Sequence, residues 1–230
     1  MKLVIFDVDG TLVDHGRLEG DFYANAFQSV FGWWDADTDW SRCRHITDGG
    51  IAREIYQRRC GRPVATGEIA QVKARFLANY QTGVLRRPGE LRAMPGVREM
   101  LAQLPERDWG FAVATGAWHA LARFKLAAAG VGLDGVPFVT GDDSDERETI
   151  MTLAIAAAQR HYRAQRFERV VYVGDAAWDV KASQALGLPF LGIGKRRRQL
   201  LAVGATHALP DFNDLSAYWP ALAECGVPGP

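Results

Sequence analysis

Long apolar runs are missing from this sequence. No stretch approaches the roughly 20 residues that a membrane-spanning helix needs, so no membrane segment is expected. Cysteine is scarce. Cys43, Cys60 and Cys225 are odd in number and have no metal-type spacing, which argues against a disulfide framework and suits a reducing compartment. Net charge is absent as well. Lys plus Arg and Asp plus Glu come to 27 each, which is a poor basis for holding nucleic acid by charge alone. The apolar stretch Leu3 to Phe6 is too short for a signal peptide and is cut by Asp7, so a cytoplasmic location is expected. Internal repeats and low-complexity segments are also lacking.

What is present is the composition of an ordinary soluble globular protein. The chain has 230 residues, 48% apolar and 23% charged, enough for one large or two small domains with a real core. Its most informative stretch is the first. Leu3-Val-Ile-Phe6 reads as a strand buried on both faces, and it runs straight into Asp7, Val8, Asp9 and Gly10. Two carboxylates at the end of an apolar strand cost several kcal/mol unless something offsets them. They also repel one another, and a divalent cation is the usual remedy. A strand followed by a plain polar Asp-Gly turn is the other reading of the same residues.

From about Leu18 to Tyr80 apolar residues recur at helical spacing. Phe22, Ala26, Phe27, Val30 and Phe31 form one stripe, and Ile69, Val72, Phe76, Leu77 and Tyr80 another. From Pro95 onward strands and helices alternate. Strands are expected at 109–114, 136–140, 169–173 and 189–193, with helices between them, and the Gly- and Pro-rich tail from Cys225 is expected to be loose. The pattern predicts an α/β fold, a Rossmann-like three-layer parallel sheet into which a small helical domain is inserted. The expected division is 1–14 with 86–230 for the α/β core and 15–85 for the helical insertion.

In open parallel sheets ligands bind at the carboxyl ends of the strands. Here one strand ends in Asp7-Val-Asp9-Gly10, another in Thr115-Gly116 and another in Gly174-Asp175-Ala-Ala-Trp-Asp179. Arg147 is the only cation between Lys125 and Arg160. Several carboxylates, a hydroxyl beside a glycine and one cation suit phosphoryl transfer through an acyl phosphate.

Asp-x-Asp-Gly-Thr-Leu-Val, a Thr-Gly strand end, a basic residue and Gly-Asp-x-x-x-Asp, in that order, resemble the haloacid dehalogenase superfamily. The phosphoglycolate-phosphatase-like branch, with a helical cap after the first strand, is the most similar. The resemblance implies a Mg²⁺-dependent phosphatase acting on a small phosphorylated metabolite. Asp7 would be the nucleophile and Asp9 the acid/base. Thr115, Gly116 and Arg147 would bind phosphate, while Asp7, the Asp9 carbonyl, Asp175 and Asp179 would hold the metal. Arg147 stands where the family usually has Lys. Thr47 and Asp48 resemble the cap loop that reaches over substrate. A phosphomutase of the same superfamily and a non-catalytic binding protein on this fold are the alternatives. Lys195-Arg-Arg-Arg198 reads as a solvated turn or an anion site. No nucleic acid or membrane partner is expected, and the oligomeric state, monomer or dimer, is left open.

Overall fold

The computed structural model describes residues 1–16, 19–87 and 89–229, so Leu18, where the helical stretch was expected to begin, lies outside it. The chain runs β1 (Lys2–Phe6), β2 (Val13–Asp14), α1 (Glu19–Phe31), α2 (Asp48–Cys60), α3 (Thr66–Arg86), β3 (Arg92–Ala93), α4 (Val97–Gln103), β4 (Trp109–Ala114), α5 (His119–Ala128), β5 (Phe138–Val139), α6 (Arg147–Tyr162), β6 (Val170–Gly174), α7 (Ala177–Ala185), β7 (Phe190–Ile193), α8 (Arg197–Ala202), β8 (His207–Leu209) and α9 (Leu215–Glu224).

Six strands form one sheet in the order β5-β4-β1-β6-β7-β8, and every pairing is parallel. This is the expected Rossmann-like α/β architecture. The order places β1 inside the sheet between β4 and β6, which explains its unbroken apolar run. Val4 and Phe6 pack on one face with Val97, Met100, Leu121, Phe212 and Tyr218. Leu3 and Ile5 pack on the other with Ile150, Met151, Ala154, Val180 and Phe190. Alternate side chains of a strand point to opposite faces, so a strand covered on both sides must be apolar throughout.

The segment expected as helical holds α1, α2 and α3, with no sheet strand among its described residues. Its core is aromatic. Tyr23 lies parallel to Trp118 at 6.2 Å, and Trp33 stacks on Phe27 at 5.8 Å. Trp34, its neighbour in sequence, is exposed.

Two expectations are corrected. The strand expected over 136–140 pairs only through Phe138 and Val139. Pro137 has no N–H to give a ladder, and the Thr140 amide is taken by the Asp143 carboxylate at 2.8 Å, which starts the turn. The tail is not loose. Phe190 N donates to Gly226 O and Gly229 N to Gly204 O, each at 3.0 Å, and Cys225 is buried. Its Gly and Pro content rules out a helix, not docking.

Candidate active site

The carboxyl ends of β1, β4 and β6 meet at one cavity of about 140 Å³, lined among others by Asp7, Asp9, Thr115, Gly116, Arg147 and Asp175. Each side chain reaches it through a local device. Asp7 is carried by the last hydrogen bond between β1 and β6, its N–H donating to Val173 O at 3.0 Å. Gly10 then takes a left-handed φ of +75° and bonds across a tight loop to Val13 O at 2.8 Å. A Cβ on Gly10 would stand 2.2 Å from Asp175 Oδ2, so only glycine lets β1 and β6 deliver their acids side by side. Asp179 sits in the first turn of α7, where its Oδ2 accepts from Ala176 N at 3.1 Å.

Asp7, Asp175 and Asp179 converge, each offering an oxygen within 4.8 Å of the others. Arg147 opens α6 and reaches the same point. Its Nη1 lies 2.9 Å from Asp179 Oδ1 and 3.7 Å from Asp7 Oδ1. The same nitrogen donates to the Tyr172 hydroxyl at 3.3 Å, and that hydroxyl donates to Ala114 O at 3.0 Å. The Arg147–Asp179 contact is an ion pair that lacks hydrogen-bond alignment, since Asp179 Oδ1, like Asp7 Oδ1, has no hydrogen-bond partner.

The electrostatics follow from crowding. Burial, then the charge of Asp179, pushes the Asp7 carboxyl up to about 7. Burial, then Asp179 and Asp7, raises Asp175 well above the usual carboxylate range. Burial also raises Asp179, against the pull of Arg147 and of two backbone amides. For Arg147 burial works against the charge, but Asp179, Tyr172 and Asp7 outweigh it and the guanidinium stays protonated. Three carboxylates face two guanidiniums, the buried Arg147 and the half-exposed Arg196, so the cluster is electrically incomplete. Buried acids with unpaired oxygens, all hard donors, fit a divalent cation.

The carboxylate of Asp9 does not join this cluster. Its Oδ2 accepts from Lys125 Nζ at 2.9 Å, and its Oδ1 is buried without a hydrogen-bond partner. The Thr115 hydroxyl is buried and accepts from Ala117 N at 3.3 Å. The helical segment closes over these groups through 46–48. Asp48 N donates to Gly116 O at 2.9 Å, Asp48 Oδ2 accepts from Trp118 N at 2.9 Å, and Arg147 Nη2 donates to Ile46 O at 3.2 Å. Thr47 caps α2, accepting from Gly50 N at 3.1 Å while donating to Asp145 O at 2.9 Å. Lys73 pairs with Asp142 at 2.5 Å and Arg53 with Asp145 at 2.6 Å farther out. Thr47 and Asp48 therefore line the cavity while their polar atoms tie the two layers together.

Sequence reasoning missed Lys125 and Tyr172, and it read the half-exposed Arg196 only as part of a solvated turn or an anion site. Arg196 is the member of the basic run that lines the cavity, 3.8 Å from Asp175. The signal for Lys125 was its place four residues after Leu121, on the stripe that α5 buries.

Known proteins resemble this chain over most of its length. The family model described as haloacid dehalogenase-like hydrolase matches residues 1–187. A phosphoglycolate phosphatase of Agrobacterium fabrum is 27% identical over 233 residues, which is 96% of this chain and 92% of that protein. The crystal structure of CbbY from Rhodobacter sphaeroides in complex with phosphate superposes with a TM-score of 0.70, at 20% identity, covering 94% of this chain and 96% of the other. A putative beta-phosphoglucomutase from Bacteroides vulgatus has the same TM-score, 0.70, at 19% identity, covering 97% and 89%.

Proposed function

Since the chain belongs to the haloacid dehalogenase-like hydrolase family, we propose that it is a Mg²⁺-dependent phosphatase of a small phosphorylated metabolite. The observation that carries this reading is the meeting of Asp7, Asp175 and Arg147 beside Thr115-Gly116 in a single cavity, with Asp179 buried against Arg147 behind them. The likeness to a phosphoglycolate phosphatase supports it. The cavity volume of about 140 Å³ supports a substrate with few atoms beyond its phosphate.

In this reading an oxygen of Asp7 attacks phosphorus, and the bond from phosphorus to the ester oxygen breaks. The Asp9 carboxyl gives its proton to the departing oxygen. Water then attacks the aspartyl phosphate, Asp9 takes the proton from that water, and the bond from Asp7 to phosphorus breaks to release phosphate. Thr115, Gly116 and Arg147 bind the phosphoryl oxygens. Asp7, the Asp9 carbonyl, Asp175 and Asp179 are the groups that would hold Mg²⁺. When bound, the cation supplies positive charge where the transferring group gathers negative charge. Residues 15–85 act as a cap on a core of 1–14 and 86–230. The Thr47-Asp48 loop, through its bonds to Gly116 and Trp118, keeps bulk water from the acyl phosphate.

A panel of phosphorylated metabolites, assayed with Mg²⁺ for free phosphate and for isomerised ester, tests the reading. Release of free phosphate from at least one small ester is expected. Isomer without phosphate would replace it with a mutase, and neither product from any member would leave a binding protein. Arg147→Ala is expected to lower kcat/KM about 10- to 100-fold, mainly through KM, as loss of a charged hydrogen bond to phosphate implies. Kinetics equal to the parent would assign the phosphate to another cation.

A further inference from the structure

Lys125 is the fully buried cation that the chemistry above leaves unused. Its side chain has no exposed surface, and its Nζ lies 2.9 Å from Asp9 Oδ2. On another side the same nitrogen stands 4.9 Å from the centre of the Tyr80 ring. The two partners come from different layers. Asp9 follows β1 in the core, whereas Tyr80 belongs to α3, the long helix of the insertion. Taking an ammonium out of water costs several kcal/mol unless a carboxylate, and to a lesser degree a ring face, compensates. A lysine placed at that cost against one oxygen of a carboxylate fixes the orientation of that carboxylate. The other oxygen, Oδ1, is buried without a hydrogen-bond partner, so the contact with Lys125 is the one that holds the carboxylate.

We infer that Lys125 is a positioning residue, which holds Asp9 in the orientation its proton transfers require and links that orientation to the seating of α3 through Tyr80. The inference rests on Asp9 being the acid/base. It differs from that reading in assigning a role to a residue that touches no substrate. It also gives closure of the insertion a chemical consequence. The face of Tyr80 lies over the ammonium only when α3 packs on α5, and Tyr80 meets Phe124 of α5 edge-on at 6.2 Å. A shift of α3 would remove one of the groups that compensate the buried charge.

The test compares two aryl esters of nearly the same shape. Phenyl phosphate has the more basic leaving group and needs its proton more than p-nitrophenyl phosphate does. In Lys125→Met, kcat/KM for phenyl phosphate is expected to fall about 10- to 100-fold, and that for p-nitrophenyl phosphate no more than about threefold. Asp9→Asn, measured beside it, should show the same inequality more strongly. If Lys125→Met does not fold, Tyr80→Leu is read on the same ratio, with a smaller change in the same direction. Loss of packing alone would lower both substrates by one factor. An unchanged ratio, whether activity stays at the parental level or falls uniformly, would overturn the assignment. A parent enzyme that releases phosphate from no member of the metabolite panel, or an Asp9→Asn variant with parental activity, would instead remove the reading beneath it.

Discussion

Asp7→Asn is expected to cost at least about a thousandfold in turnover of p-nitrophenyl phosphate and, at the same time, to make the metal-free protein harder to unfold. The loss of rate follows from the nucleophile. An amide oxygen carries no charge to drive attack on phosphorus, and the other groups of the cavity cannot replace a covalent step. The gain in stability follows from the surroundings. Asp7 is buried, and its carboxyl is pushed up to about 7 by burial and by Asp179. A carboxyl whose folded-state value is raised weakens folding once the pH exceeds its unfolded value. An amide of the same shape escapes both the desolvation and the repulsion. Turnover measured with Mg²⁺, and thermal unfolding measured with chelator on the same preparation, check the two halves. Turnover near the parental rate would remove Asp7 as nucleophile. A large fall in both quantities would mean that Asn disrupts the fold, and the kinetic loss would then carry no assignment.

The parts of this site that were legible in the sequence are those where chemistry sits on a strand end. An apolar run that stops at an acid can be read from order alone, and so can the sheet, because alternating strands and helices allow few other arrangements. Arg147 was legible by elimination, as the only cation in its stretch of chain. Its pairing with Asp179 was not, because the first turns of α6 and α7 are brought together by the sheet order, and no local pattern encodes that order. The carboxylate of Asp179 stands within the acid cluster. Lys125 was hidden for a different reason. A lysine on an apolar stripe normally extends its ammonium to solvent, but here the packing of α3 over α5 helps to deny it water. The bonds from 46–48 to Gly116 and Trp118 are set by the shape of the insertion against the core, for which single-residue preferences hold no information.

Removal of divalent cation should abolish phosphate release, and its return should raise the unfolding temperature by an amount that depends on pH. Asp7, Asp175 and Asp179 lie within 4.8 Å of one another and are all raised above the usual carboxylate range. For such groups the sign of the pH effect is opposite to that of a salt-bridged acid. The penalty on the metal-free fold is complete above about pH 7 for Asp7 and is relieved as the pH falls through that value. A cation that binds only the folded state adds about 2.7 kcal/mol at a hundredfold excess over its Kd. For a chain of this length that corresponds to roughly 5–10 °C. At pH 8 the full shift is expected with Mg²⁺, because the acids are there to be neutralised. At pH 6 protons compete for the same oxygens and the shift should shrink. The raised N-terminal amine, held by Glu168 and Asp108, also changes stability near pH 8, but it does so with and without metal and cancels in the difference. Asp175→Asn should lose most of the Mg²⁺-induced shift while keeping the fold. Absence of any shift at pH 8 with Mg²⁺ or Mn²⁺ would refute a metal at this cluster. A shift that grew toward pH 6 would place the cation on groups other than these three acids, since a metal on raised carboxyls must displace more protons as the pH falls.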